Sequence, residues 1–246
     1  PTVGEVCQKW ATHRQSYRGL YISPLDTGHV REILRNYPRQ DIRCIVVTDG
    51  GRILGLGDLG SSGLGIPVGK LMLYTLIGTV PPQQTLPVVL DVGTDREEIL
   101  ADPLYQGWRH PRIRGDEHEA FVEEFVNAVK EVYGKTCLVQ FEDFEMITAF
   151  RLLDHFRWRC CCFNDDIEGT ASVAAATVAT APRIKGVKPL DQQKYLFIGA
   201  GSAATGIANL IADIAATETG TPREQILKNI VMFDAGGMVT AQRTDL

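Results

Sequence analysis

The sequence predicts an α/β fold in two units with parallel strands, on three observations. Two apolar runs, Leu138 to Phe141 and Trp158 to Phe163, read as strands. Between them, Met146, Ala149, Phe150, Leu153 and Phe156 recur at the spacing of one helix face. Strand, helix and strand in about 25 residues make a βαβ unit, and its right-handed crossover sets the strands parallel. Further on, the run Tyr195 to Ile198 leads into Gly199-Ala200-Gly201-Ser202-Ala203-Ala204, a helix through about Ala216, and a second strand, Ile230 to Phe233.

Length and composition fit that class. The 246 residues, 44% hydrophobic and 22% charged, are enough for one large domain or two ordinary ones. Net charge is −5 with no basic run, which speaks against nucleic acid as a partner. No apolar run approaches bilayer length, and the N-terminus does not read as a signal peptide, so no membrane partner is expected. Six cysteines show neither zinc nor disulfide spacing. Cys160-Cys161-Cys162 would point to alternate faces of a strand, as small buried residues in a reducing compartment. Starting at Pro1 without methionine and stopping at Leu246 in mid-pattern, the chain is expected to be an excerpt of something longer.

Taken in order, residues 4 to 16 are polar and weakly helical. Arg18 to Ser23 reads as a short strand and Thr27 to Asn36 as a helix. Ile42 to Thr48 is an apolar strand turned by Asp49-Gly50-Gly51, and Arg52 to Gly57 should return as a second extended piece. Glycines at 55, 57, 60, 63 and 65 let the backbone pass close to something. Pro67 opens a helix, Val68 to Ile77, with so little polar surface that burial on most sides is expected. Its one amine, Lys70, would lie near the positive helix end. Desolvation and that dipole favour the neutral amine, a general base; snorkelling to solvent or pairing with an aspartate is the plainer alternative. Leu86 to Val92 is a further strand and Asp116 to Tyr133 a long amphipathic helix. Arg109, Arg112 and Arg114 read as a solvated loop rather than an anion site.

Acid pairs follow both strands of the βαβ unit directly: Glu142-Asp143 after the first and Asp165-Asp166 after the second. Parallel strands put both pairs on the carboxyl edge, where open α/β sheets hold ligands. Four converging carboxylates need a cation, and all-oxygen donors favour Mg²⁺ or Mn²⁺ over zinc; helix capping by one acid is the alternative. The helix from Thr170 should stop at Pro182. Gly199, Gly201, Ser202, Ala203 and Ala204 form the G-x-G-x-x-A turn of a Rossmann dinucleotide-binding unit, and Asp234 closes the next strand, where an acid can meet a ribose hydroxyl. Its distance of 35 residues from Gly199 exceeds the usual 20 or so, which implies a longer intervening helix or loop.

Several stretches together resemble one family. Val46 to Gly50, Arg52 to Gly60, Gly65 to Lys70, Leu90 to Thr94, Gln140 to Phe144, Phe163 to Ile167 and Gly199 to Gly201 appear in this order in malic enzymes of the large eukaryotic type. The resemblance covers nearly the whole chain. It implies oxidative decarboxylation of L-malate to pyruvate and CO₂ with reduction of NAD or NADP, assisted by Mg²⁺ or Mn²⁺. It further implies that Glu142, Asp143 and Asp166 ligate the metal, that Lys70 is the general base with Asp165 as partner, and that Arg52 holds a malate carboxylate. A homo-oligomer and a cytoplasmic or mitochondrial setting are implied as well. The expected division is 1–17 as the end of a helical region, 18–164 as the substrate and metal domain, and 165–246 as a partial Rossmann domain. The family's general-acid tyrosine would lie two residues before Pro1, and its asparagines that contact malate beyond Leu246. An alternative expectation is therefore an inactive nucleotide- and metal-binding fragment. Glu168 stands where the family usually has glutamine.

Overall fold

The computed structural model describes residues 2–12, 19–184 and 186–243. Residues 13 to 18, which the expectations above gave to a weak helix and a strand's first position, lie outside the described residues. The chain forms two compact units, Pro1–Phe163 and Asn164–Leu246.

The first unit opens with α1 (Thr2–Gln8), whose Cys7 is buried beside Ile53, Leu59 and Ile66. β1 (Leu20–Ile22), α2 (Val30–Asn36), β2 (Cys44–Thr48), α3 (Gly65–Leu76), β3 (Thr85–Leu90), α4 (Glu97–Ala101), α5 (Gly115–Val132), β4 (Leu138–Phe141), α6 (Met146–Phe156) and β5 (Cys162–Asn164) follow. The sheet order is β1-β3-β2-β4-β5. β1 with β3, β3 with β2 and β2 with β4 pair in parallel, Cys44 lying opposite Thr85 on one side and Leu138 on the other. Each return therefore needs a crossover, supplied by α3, then by α4 and α5. β2 is buried at every position, as a strand covered on both faces must be. Phe121, Phe125, Phe141, Phe144 and Phe156 fill the core, with the Phe141 and Phe156 rings stacked at 6.0 Å.

Four expectations fail here. Arg52 to Gly57 is a closed turn, not a returning strand. Ile53 and Gly57 form an isolated antiparallel bridge, which brings the chain straight back on itself. α3 is not buried on most sides. Ile66, Pro67 and Leu71 face inward, whereas Met72, Leu73 and Leu76 are exposed, Leu76 by 74%. Apolar composition reports what a face is made of, not what covers it. Because the helix starts at Gly65, Lys70 lies in its second turn, beyond the reach of the dipole's positive end. Nor is Trp158 to Phe163 a strand throughout. The end of α6 runs on in turns through Cys160, leaving Trp158 89% exposed and Cys161 exposed; extended backbone begins only at Cys162.

The second unit begins on a five-residue π-turn, Asp165–Gly169, which leads into α7 (Thr170–Thr180). A short 3₁₀ turn containing Pro182 ends that helix. β6 (Tyr195–Ile198), α8 (Ser202–Thr219), α9 (Arg223–Leu227), β7 (Ile230–Asp234) and β8 (Gly237–Met238) complete the unit. β6 and β7 are parallel, Leu196 opposite Val231 and Ile198 opposite Phe233; β8 turns back antiparallel. The 18-residue α8 and the short α9 account for the long spacing from Gly199 to Asp234. No helix among the described residues is long and apolar enough to cross a membrane.

Candidate metal, base and dinucleotide residues

In the first unit the candidate site grows from the end of β4. Glu142 extends the ladder through its amide, which donates to Val47 O at 2.9 Å. Strand periodicity then places Gln140 and Glu142 on one face, and Gln140 Nε2 donates to Glu142 Oε2 at 2.7 Å. Helix periodicity does the same for Lys70 and Tyr74, one turn apart on α3. Four residues of helix rise about 6 Å and two of strand about 6.6 Å, so the two pairs match. Tyr74 Oη donates to Gln140 Oε1 at 2.8 Å, and Lys70 Nζ lies 3.4 Å from Glu142 Oε2. The Lys70 side chain is 33% exposed and that of Glu142 only 3%.

Asp143 is buried beside Glu142 and adopts φ +54°, a left-handed backbone that residues other than glycine seldom take. Its carbonyl accepts the Arg52 amide at 3.0 Å and its Oδ1 the Leu54 amide at 3.3 Å. Asp143 thereby ties the Arg52–Gly57 turn to the end of β4, while the Arg52 side chain is exposed.

A second buried charge cluster supports that turn from behind. Arg112 is not in a solvated loop, as its sequence neighbours suggested; its side chain is 1% exposed. Nη1 lies 3.3 Å from Asp49 Oδ2, and Nη2 donates to Asp58 Oδ1 at 2.7 Å. His118 Nε2 sits 3.0 Å from Asp49 Oδ2. Burial alone would raise the Asp49 carboxyl, but the Arg112 guanidinium and the His118 hydrogen bond outweigh it and hold it below the usual range. Burial works against the Arg112 guanidinium charge too, but the Asp49 and Asp58 carboxylates outweigh it and push Arg112 up. No local sequence signal marks this group, because its members are drawn together from 63 and 69 residues apart.

In the second unit Asp165 and Asp166 occupy the first positions of the π-turn, both half-buried. Asn164 Oδ1 accepts the Ile167 amide at 3.1 Å and so caps the turn. Glu168 Oε2 accepts the Asn164 amide at 3.3 Å, a bond that a glutamine oxygen would also accept. A Cβ at Gly169 would collide with Asp165 Oδ1, so glycine there lets that carboxylate lie over the turn. Gly206 of α8 serves a related purpose: a Cβ would stand 2.5 Å from Ile167 O. The helix rests directly on the turn that carries the acids.

Gly199 takes φ +117°, open to glycine but not to side chains, and Gly201 caps α8 at Ser202. Ser202, Ala203 and Ala204 form the first turn of that helix, whose amides point toward the strand ends, an arrangement suited to a pyrophosphate. Asp234 ends β7, with Oδ1 accepting the Gly236 amide at 2.8 Å and Arg243 Nη1 at 2.6 Å.

The residues nominated as metal ligands offer only carboxylate oxygen, Glu142 and Asp143 buried and Asp166 half-buried. That donor set fits a hard divalent cation such as Mg²⁺ or Mn²⁺.

Comparison with known proteins bears on both units. Residues 1–157 match the family model described as malic enzyme, N-terminal domain, and residues 167–246 the one described as malic enzyme, NAD binding domain. Over all 246 residues the chain is 52% identical to the NADP-dependent malic enzymes of Sus scrofa and Homo sapiens, covering 44% and 43% of their lengths. It is 50% identical to the mitochondrial NADP-dependent malic enzyme of Mus musculus, covering 40% of it. The chain thus spans less than half the length of these curated relatives. Among solved structures, malic enzyme from Entamoeba histolytica matches with a TM-score of 0.60 at 27% identity, over 90% of this chain and 39% of that one. NAD-dependent malic enzyme from Thermotoga maritima shares the fold with a TM-score of 0.57 at 22% identity, over 98% and 49%.

Proposed function

The chain belongs to the malic enzyme family, and from that premise we propose that it serves the oxidative decarboxylation of L-malate to pyruvate and CO₂, with reduction of NAD⁺ or NADP⁺. The observation that carries the reading is the amine of Lys70 set 3.4 Å from the buried carboxylate of Glu142, at the strand end where ligands of α/β sheets bind. When bound, Mg²⁺ or Mn²⁺ supplies Lewis-acid charge at the substrate's C2 oxygen, and the nicotinamide dinucleotide supplies the electron acceptor.

The chain's own residues do the remainder. Glu142, Asp143 and Asp166 hold the cation. Arg52, exposed on a turn that Asp143 pins, takes a malate carboxylate as a charge-assisted fork. Lys70 Nζ accepts the proton of the C2 hydroxyl, and Asp165 partners the amine. Glu142 joins the two roles, since the carboxylate that would hold the cation is also the one that faces the Lys70 amine. The turn from Gly199 to Ala204 receives the pyrophosphate and Asp234 a ribose hydroxyl. Association into a homo-oligomer belongs to the same proposal.

The test is Mn²⁺ binding, followed by calorimetry, in Glu142→Gln and Asp166→Asn against the exposed control Glu117→Gln. Each ligand variant should weaken binding by about 100-fold or more, since changes even one layer out cost roughly 10–100-fold. Wild-type affinity in both variants would remove the metal assignment.

A further inference from the structure

Gln140 is buried in a strand whose other residues, Leu138, Val139 and Phe141, are apolar. An amide taken out of water is costly unless its hydrogen-bonding groups are met. Both ends of this one are met, and in a fixed sense. A carboxylate can only accept, so the Gln140 NH₂ turns to Glu142, at 2.7 Å, and its carbonyl is left facing Tyr74. Tyr74 Oη must then donate, at 2.8 Å. The ring that carries this hydroxyl is itself held, packed against the buried Cys44, Val46 and Leu71. A hydrogen-bond chain of one direction thus runs from a packed ring on α3, through a buried amide, to the Glu142 carboxylate. The terminal torsions of Gln and Glu are broad and nearly two-fold, so neither side chain selects its own setting. The chain of bonds selects it.

We propose that Gln140 and Tyr74 are positioning residues for the cation: Gln140 fixes the Glu142 carboxylate in one orientation, and Tyr74 fixes Gln140. The proposal rests on the reading of Glu142 as a metal ligand and names what sets that ligand's geometry. Its consequence is selectivity. Mg²⁺ demands nearly ideal octahedral geometry, whereas Ca²⁺ accepts irregular sets of oxygens, so a carboxylate held in one setting favours the smaller ion. Without the Tyr74 hydroxyl the Gln140 amide is free to turn, and without the amide the carboxylate is. Both residues act through Glu142, and Tyr74 acts through Gln140.

The test measures Mg²⁺ and Ca²⁺ dissociation constants by calorimetry in a protein of the relatives' full length that carries this chain. Wild type is compared with Tyr74→Phe, Gln140→Met, the double variant and Glu142→Gln. Gln140→Met keeps the length of the side chain and removes both bonds; Tyr74→Phe removes one oxygen and keeps the packed ring. Gln140→Met should weaken Mg²⁺ by about 10–100-fold, the range for residues that orient a ligand, and Ca²⁺ by less than about threefold. Tyr74→Phe, one bond further from the carboxylate, should weaken Mg²⁺ by at least about threefold. In the Gln140→Met background it should change nothing more, because its route through the amide is gone. Two residues that merely tie α3 to β4 would weaken both ions equally, or add independently in the double variant; either result overturns the proposal. Should Gln140→Met fail to fold, unchanged Mg²⁺ affinity in Tyr74→Phe overturns it alone. Unchanged affinity in Glu142→Gln would remove the metal reading and this proposal with it, whereas loss there with none in Gln140→Met removes only the positioning roles.

Discussion

Lys70 Nζ stands 3.4 Å from Glu142 Oε2, an amine one-third exposed against a carboxylate almost wholly enclosed. The pairing exists because a helix repeats at four residues and a strand at two: Tyr74 with Gln140 and Lys70 with Glu142 are successive rungs between α3 and β4. Gln140 joins the rungs by donating to the same Glu142 oxygen that faces Lys70. The positions of the carboxylate and of the amine are therefore set before any ligand arrives.

Asp143 combines a strained backbone, φ +54°, with a side chain that holds the Leu54 amide. Asparagine tolerates that backbone and retains an acceptor, so Asp143→Asn should leave the denaturation midpoint nearly unchanged while weakening Mn²⁺ binding. Asp143→Ala loses the bond and fits the backbone poorly, and should cost about 1–3 kcal/mol. Urea unfolding of both variants beside Mn²⁺ titration checks this; equal destabilisation by the two would contradict it.

Asp49 is held below the usual carboxylate range by Arg112 and His118 against the pull of burial. A depressed folded value means stability that is fully present above the unfolded value, near 3.9, and is lost as pH falls through the folded one. Asp49→Asn should destabilise the chain by about 3 kcal/mol at pH 7, because it removes one partner from a buried ion group. The gap between wild type and variant should hold from pH 7 to about 5 and shrink below about 4. Chemical denaturation across that range reads it directly, and a gap that widens in acid would show the sign to be wrong.

Gly206 lets α8 lie against the π-turn that carries Asp165 and Asp166. Gly206→Ala forces a methyl within 2.5 Å of Ile167 O, which overpacking costs of about 1–3 kcal/mol describe. The shift should reach the acids, so Mn²⁺ affinity should fall together with stability. Unaltered affinity in a destabilised variant would mean that α8 does not position the turn.

Legibility in the sequence followed the range of the interactions. β2, β3 and β4 could be read because parallel strands covered on both faces are apolar at nearly every position. The G-x-G turn could be read because its chemistry is local, and so could acids closing two strands. The exposed face of α3 could not, since Leu71 and Leu76 look alike until their surroundings are known. Trp158 misled for the same reason. The Asp49–Arg112–His118 group was illegible because tertiary contact alone assembles it, and the π-turn because one residue more per turn leaves no mark on composition. Glu168 became intelligible only once its bond to the Asn164 amide was seen.

The central claim, that Lys70 is the proton acceptor beside a carboxylate that would also hold the cation, is tested most directly by placing Lys70→Ala in a protein of the relatives' full length that carries this chain, and measuring kcat for malate oxidation and the Mn²⁺ dissociation constant on the same preparation. On this account kcat falls by about 10²-fold or more, the usual share of a general base, a small primary amine in the buffer restores part of it, and Mn²⁺ affinity changes by less than about tenfold. A variant that kept more than about a tenth of wild-type kcat would make Lys70 a structural lysine and contradict the claim.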